Sequence, residues 1–186
     1  MEQIERIKES GGYLNRYTHE SDSCNCRMTF SVYLPPQAET GEVPAVYWLS
    51  GLTCTDENFR VKAGAQRYAA ELGLALIIPD TSPRGEDVPD AAERYDMGQG
   101  AGFYVNATRQ PWSKHYHMYD YVTRELPALV ERELPLVAGL RAISGATEIS
   151  PKVVYAGLAE SFYTTIFGLC VLLAAGLAWL ALTNRR

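Results

Sequence analysis

Apolar residues at strand and helix spacings are the feature that most constrains the fold of this chain. Between Met28 and Leu34 every second residue is apolar, which is the period of a strand with one buried face. Residues 43–49 and 74–78 are short, mostly apolar runs that end at turn residues, as buried parallel strands do. These segments predict three strands, and residues 141–144 predict the start of another.

Two further segments have the 3.6-residue period of a helix. The first predicted buried face consists of Val61, Ala65, Tyr68, Ala69 and Leu72, with Gly73 placed as a C-terminal cap. The second consists of Met118, Val122, Leu126, Leu129 and Val130, and Pro127 is expected to kink that helix. Strands that alternate with helices predict an α/β fold, with a mostly parallel sheet flanked by helices.

A segment rich in Gly, Pro and Asp separates the last of these strands from the second helix. It runs from Thr81 to Trp112, and loops this long inside a domain are usually functional or disordered. Its aromatic residues, which include Phe103 and Tyr104, favour an ordered loop.

The composition changes near Gly145, which divides the chain into three predicted parts. Residues 1–145 are the N-terminal half of a globular domain and residues 146–160 are a junction. Residues 161–183 contain no charged side chain and are long enough to cross a bilayer as a helix, with Tyr163 and Trp179 as interfacial anchors. A transmembrane helix with membrane contact is therefore predicted, and a buried core helix is the alternative.

Charge and cysteine usage exclude several classes of function. The net charge is −5 and no Lys/Arg cluster is present, which argues against a nucleic-acid partner. The cysteines complete no zinc pattern and predict reduced thiols in a cytosolic protein. The charged N-terminus has no apolar stretch of the kind that a secretory signal needs. The four cysteines are Cys24, Cys26, Cys54 and Cys170.

Five ordered runs carry a resemblance to a known family. They are YWLSGLTCTDENF at 47–59, KAGAQ at 62–66, PDTSPRG at 79–85, GQGAGFYVNAT at 98–108 and MYDY at 118–121. In sequence and spacing they closely resemble the S-formylglutathione hydrolases of the esterase D family. The resemblance covers residues 1–145 and implies a cytoplasmic α/β-hydrolase, often a homodimer. Such a protein is a serine thioesterase that hydrolyses S-formylglutathione to glutathione and formate in formaldehyde detoxification, and it also cleaves simple esters without a cofactor or metal.

The same resemblance implies roles for Leu52 and Cys54, and Trp112 is a further candidate that the resemblance does not supply. Leu52 follows a central strand in the turn Ser50-Gly51-Leu52-Thr53, where such enzymes place one backbone N–H of the oxyanion hole. Cys54 is implied to lie near the acyl pocket. Trp112 is a candidate for the wall of the substrate pocket, with ordinary packing as the alternative.

The chain departs from the family at the nucleophile turn. After Gly145 the family reads His-Ser-Met-Gly-Gly, whereas here Thr147 occupies the position of the nucleophilic serine and Ile149 that of the second glycine. In this fold the acid and the histidine of the triad follow the nucleophile, but the last Asp is Asp120 and the last His is His117. We therefore expect an esterase chain truncated or fused near residue 145, and inactive because Thr147 lacks a base.

Other residues leave alternatives open. His115 and His117 suggest a metal site or, more simply, surface residues, and Arg84 and Lys114 read as solvated charges. A second hypothesis for the whole chain is a membrane-anchored, non-catalytic interaction protein. A third is a complete esterase with Thr147 as an unusual nucleophile.

Overall fold

A mixed sheet forms the centre of the part of the chain that is described. The computed structural model describes residues 1–134 and the two-residue strand Val137–Ala138. All of these residues belong to the first of two units, Met1–Ile143, and the second, Ser144–Arg186, lies outside the described residues. The strands are β1 (Glu2–Glu9), β2 (Gly12–Ser21), β3 (Cys26–Leu34), β4 (Val43–Tyr47), β5 (Ala75–Pro79) and β6 (Val137–Ala138).

The six strands form one sheet in the order β1-β2-β3-β5-β4-β6. The β1–β2, β2–β3 and β3–β5 pairs are antiparallel, whereas β5–β4 and β4–β6 are parallel. The predicted α/β class is confirmed, but the described sheet is mixed and not mostly parallel. For the β1–β2 pair the reason is a tight turn, in which Ser10 and Gly11, with φ of 47° and 79°, reverse the chain between the two strands.

The predicted strand at 28–34 lies within β3, and the runs at 43–49 and 74–78 match β4 and β5 to within two residues. Every residue of β5 is buried, as the continuous apolar run predicted. The predicted strand at 141–144 lies outside the described residues.

The first predicted helix is two helices, α1 (Asp56–Lys62) and α2 (Ala65–Leu72), separated at Gly64, which has a φ of 60°. Gly73 caps α2 in the left-handed conformation as predicted. The predicted buried face is wrong, because Val61 and Leu72 are 72% and 70% exposed while Ala69 is buried. After the break at Gly64, α2 packs on the sheet through Ala69, which lies in one buried cluster with Tyr33, Leu76 and Ile78.

The second predicted helix is present but is not a single regular helix. A short α3 (Met118–Asp120) continues into a π-helical turn (Tyr121–Glu125) and then into α4 (Leu126–Glu133). The irregular turn precedes Pro127, which has no N–H to continue the regular hydrogen-bond ladder. Short 3₁₀ turns lie at Pro36–Glu39 and Trp112–Lys114.

The sheet is covered on both faces. One buried cluster, which includes Phe30, Val32 and Ile77, packs with Met118, Tyr121, Leu126, Leu129 and Val130 of α3, the π-helical turn and α4. The other joins Tyr33, Leu76 and Ile78 to Ala69 of α2. Within the described part, no helix combines the length and apolar character needed to cross a bilayer. The predicted junction at 146–160 and transmembrane helix at 161–183 lie outside that part.

Candidate active site

A tight turn follows strand β4 and forms the centre of the candidate site. The N–H of Cys54 donates to the carbonyl oxygen of Gly51 at 3.2 Å and closes this turn. Thr53 lies in the left-handed region with a φ of 66°, which is rare for a β-branched residue. Such a conformation is strained and persists only where the surrounding structure holds it.

The two central amides of the turn differ in their bonding. The N–H of Thr53 donates to the carbonyl oxygen of Gly100 at 2.7 Å. The N–H of Leu52 has no hydrogen-bond acceptor among the described residues, and its side chain is 39% exposed. The turn therefore presents one unused amide donor at the position where the sequence placed an oxyanion donor.

Arg84 and Thr81 hold the C-terminal end of the turn. The carbonyl oxygen of Cys54 accepts from Arg84 Nη2 at 3.0 Å and from the hydroxyl of Thr81. Arg84 Nε also lies 3.1 and 3.0 Å from the two carboxylate oxygens of Asp80. The expectation that Arg84 is simply solvated is wrong, because its guanidinium joins the end of β5 to the turn.

Burial raises the pKa of the Asp80 carboxyl above its ordinary value. Arg84 and the N–H groups of Thr81 and Ser82 act in the opposite direction and stabilise the ionised form. Asp80 is therefore a buried acid whose cationic partner, within the described part of the chain, is the guanidinium of Arg84.

The glycine-rich segment from Gly98 to Gly102 packs against the other side of the turn. The N–H of Gly100 donates to Ser82 Oγ at 2.6 Å. Gly102 has a φ of 69°, and a Cβ atom at this position would lie 3.1 Å from the backbone nitrogen of Leu52. Only glycine permits this approach without moving the turn.

Tyr104 completes the contacts that hold the turn. Its hydroxyl donates to the carbonyl oxygen of Ser50 at 2.7 Å, and burial raises the pKa of this phenol. Sequence reasoning did not single out Tyr104, Ser82 or Gly102 as site residues. The glycines at every second position from 98 to 102 were the available signal.

Cys54 lines a hollow of about 350 Å³ beside the turn. Its thiol is partly exposed and forms no disulfide. Trp48 and Phe59 stack in the same hollow with ring centroids 4.1 Å apart. The region beside Cys54 is therefore mainly apolar.

Trp112 lines a separate cavity of about 250 Å³. Its ring packs edge-on against Tyr116 with centroids 5.3 Å apart. Gly102 lines this cavity and also packs close to the backbone of Gly51 and Leu52. Leu52 and Cys54 belong to the same turn, whereas Trp112 lines a different hollow from Cys54.

The histidines of residues 113–117 are engaged with the backbone. His115 is buried, and its Nδ1 lies 3.0 Å from the carbonyl oxygen of Cys24. His117 Nε2 lies 2.6 Å from the carbonyl oxygen of Ser113. The expectation that His115 is a surface residue is wrong, because the turn after Trp112 directs it into the core. Among the described residues no group of three or more His, Cys, Asp and Glu side chains is arranged to hold a metal ion.

Thr147, the residue at the nucleophile position, lies outside the described residues, as do Gly145 and Ile149.

Comparisons with known proteins identify the class to which this arrangement belongs. A model of the Esterase family matches residues 21–148, which is more than half of the chain. The chain belongs to this esterase family.

Solved structures give a closer comparison. An S-formylglutathione hydrolase from Agrobacterium tumefaciens is 50% identical in sequence to this chain, and the two structures match with a TM-score of 0.71. The match covers 72% of this chain and 48% of that chain. The resemblance of the N-terminal part to S-formylglutathione hydrolase is confirmed, and the described residues form part of an α/β-hydrolase fold. This chain spans about half the length of that enzyme.

Two more distant structures come from Staphylococcus aureus. A fluorophosphonate-binding serine hydrolase F is 21% identical over 67% of this chain and 42% of that chain, with a TM-score of 0.48. An S-formylglutathione hydrolase is 18% identical over 64% of this chain and 41% of that chain, with a TM-score of 0.45.

Proposed function

We propose that this chain supplies the oxyanion-binding side of a site that hydrolyses carboxylic and thiol esters, with S-formylglutathione as the substrate. The observation that carries the proposal is the unused N–H of Leu52 in a strained turn held from several directions. Membership of the esterase family and the 50% identity to an S-formylglutathione hydrolase support this substrate class.

The chemistry requires such a donor. When a hydroxyl attacks the formyl carbon, the carbonyl oxygen becomes negatively charged, and a fixed N–H stabilises that charge without reorganising. The intermediate then expels the glutathione thiolate, and water releases formate from the acyl-enzyme. Leu52 provides one donor, and in this fold the residue after the nucleophile provides the other.

We assign Cys54 to the acyl side of the substrate. Its hollow adjoins Gly51, one residue before the donor, and its thiol is small and partly exposed. Trp112 is assigned to the wall of the second cavity, which Gly102 also lines.

We infer that the 186 residues do not turn over substrate by themselves. Their three histidines are His19, His115 and His117, and all precede the nucleophile position. The rings of His115 and His117 are hydrogen-bonded to backbone carbonyl groups. An alcohol such as that of Thr147 is a weak nucleophile without a positioned base. The alternative of a membrane-anchored interaction protein depends on residues 161–183 and stays a prediction.

A hybrid chain tests the proposal. Residues 1–145 are joined to the C-terminal half of the Agrobacterium tumefaciens enzyme, which retains its own sequence after the junction. We expect the hybrid to hydrolyse S-formylglutathione and a chromogenic acetate ester, while the 186-residue chain and its Thr147→Ala variant stay at the uncatalysed rate. A folded hybrid without activity would contradict the oxyanion role. Activity in the 186-residue chain that Thr147→Ala removes would contradict the inferred inactivity.

A further inference from the structure

The cavity lined by Trp112 is larger and more apolar than a formyl group requires. Its volume is about 250 Å³, and an apolar cavity of about 150 Å³ already holds a benzene ring. The side chains that line it include Met97, Ala101, Phe103, Val105, Trp112 and Tyr116. Space and lining therefore suit an aromatic ring with a short alkyl chain.

Arg109 is the charged side chain that lines this cavity. It is exposed, and its guanidinium makes no hydrogen bond or ion pair with any described residue. Arg94, by contrast, is an exposed arginine whose guanidinium pairs with Asp96 at 3.0 Å. An unpaired guanidinium beside an apolar cavity is complementary to a carboxylate attached to an apolar body.

The cavity is connected to the proposed site through Gly102. This residue lines the cavity and lies against the backbone nitrogen of Leu52. The cavity and the oxyanion turn therefore have Gly102 as a common neighbour.

We propose that the cavity is a binding site for amphiphilic monocarboxylates, in which an aryl-alkyl body fills the apolar space and Arg109 pairs with the carboxylate. The binding of such a ligand does not depend on the proposed function. The further step, in which the ligand is part of a second ester substrate, rests on the proposed function. The polar peptide of glutathione does not match the apolar lining.

The experiment measures binding to the 186-residue chain by NMR titration with 4-phenylbutyrate. We expect chemical-shift changes concentrated at Ala101, Gly102 and Ala107. The neutral analogue 4-phenylbutan-1-ol tests the apolar part alone. Raising the salt concentration weakens binding of the carboxylate more than that of the alcohol, because screening acts on the exposed charge pair.

Two variants separate the apolar and charged contributions. Arg109→Gln weakens binding of 4-phenylbutyrate about two- to fivefold, the range for an exposed ion pair, and leaves the alcohol unchanged. Arg94→Gln, the matched control, changes neither. Ala107→Leu narrows the cavity and weakens both ligands, while circular dichroism verifies the fold.

Shift changes outside the cavity, or equal weakening of both ligands by Arg109→Gln, would overturn the proposal. A chain that binds neither 4-phenylbutyrate nor 4-phenylbutan-1-ol would also overturn the proposal. An inactive hybrid with intact 4-phenylbutyrate binding would count against the oxyanion role alone, so the two proposals fail separately.

Discussion

The backbone N–H of Thr53 donates to the carbonyl oxygen of Gly100 over 2.7 Å and joins the turn after β4 to the glycine-rich segment. This bond uses one of the two central amides of the turn, and the Leu52 amide has no acceptor among the described residues. Arg84 holds the same turn through the carbonyl oxygen of Cys54 at 3.0 Å. A strained turn bonded on both sides keeps its free donor fixed, which is the property that an oxyanion site requires.

Gly102→Ala should disturb this turn. Alanine at this position must adopt a φ of 69°, and its methyl group would lie 3.1 Å from the backbone nitrogen of Leu52. We expect a loss of about 1–2 kcal/mol in the free energy of unfolding, measured with urea. In the hybrid chain, kcat should also fall. Gly41→Ala is the matched control, because nothing lies within 4 Å of its added Cβ. Equal effects at both positions would contradict a specific contact at Gly102.

Arg84→Gln should destabilise the chain by leaving Asp80 buried without its cationic partner. The expected loss is about 1–3 kcal/mol in the free energy of unfolding, reduced from the value for a fully buried pair because Arg84 is 35% exposed. Arg132→Gln breaks an exposed pair with Glu133 and should change stability by less than about 0.5 kcal/mol. Matching urea midpoints for Arg84→Gln and the parent chain would show that the guanidinium does not hold the turn.

The Glu125 carboxylate should make the free energy of unfolding depend on pH. Burial raises the pKa of this carboxyl, but hydrogen bonds from Ser23, Ser21 and Asp22 outweigh it and lower the pKa below 4.5. The carboxylate accepts from the N–H of Ser23 at 2.8 Å and from Ser21 Oγ at 2.9 Å. Because the folded pKa is lowered, its contribution is present above about pH 4.5 and disappears as the pH falls through the folded value.

Glu125→Gln should therefore cost about 1–2 kcal/mol near pH 7. The difference from the parent chain should shrink as urea unfolding is repeated at pH values below 4.5. Glu133→Gln, which removes an exposed pair with Arg132, serves as the control. Its difference from the parent chain in the free energy of unfolding should change little with pH. A difference for Glu125→Gln that persists undiminished to the lowest accessible pH would contradict this assignment.

The sequence predicted strands that carry regular or continuous apolar residues, and in β3 and β5 these residues are buried. Phe30 and Val32 alternate on one face of β3, and β5 is apolar throughout because both of its faces are covered. Strands β1 and β2 were not predicted. In β1 the apolar residues Ile4 and Ile7 are three apart and exposed, and β2 buries polar residues such as Asn15 and Thr18 that hide its period.

The candidate site was predictable only in part. The turn at Leu52 and the neighbouring Cys54 follow a strand in the sequence, which is a local signal. The contacts of Arg84 and Tyr104 with the turn join residues 30 and 54 positions apart, and no local pattern encodes such pairs. The roles of Leu52, Cys54 and Trp112 remain predictions, and Thr147 lies outside the described residues.

The central claim is that the amide of Leu52 donates to the oxyanion, and replacing that residue by proline tests it directly. Leu52 occupies the second position of a turn whose third residue, Thr53, has a positive φ. Proline is favoured at the second position of such turns and has no N–H, so Leu52→Pro should keep the turn while it removes the donor.

Measured in the hybrid chain, kcat for S-formylglutathione should fall about 10²- to 10³-fold for Leu52→Pro. Leu52→Ala retains the amide and should keep kcat within about threefold of the parent, because the proposed role belongs to the backbone N–H and not to the side chain. Equal kcat values for folded Leu52→Pro and Leu52→Ala hybrids would contradict the account.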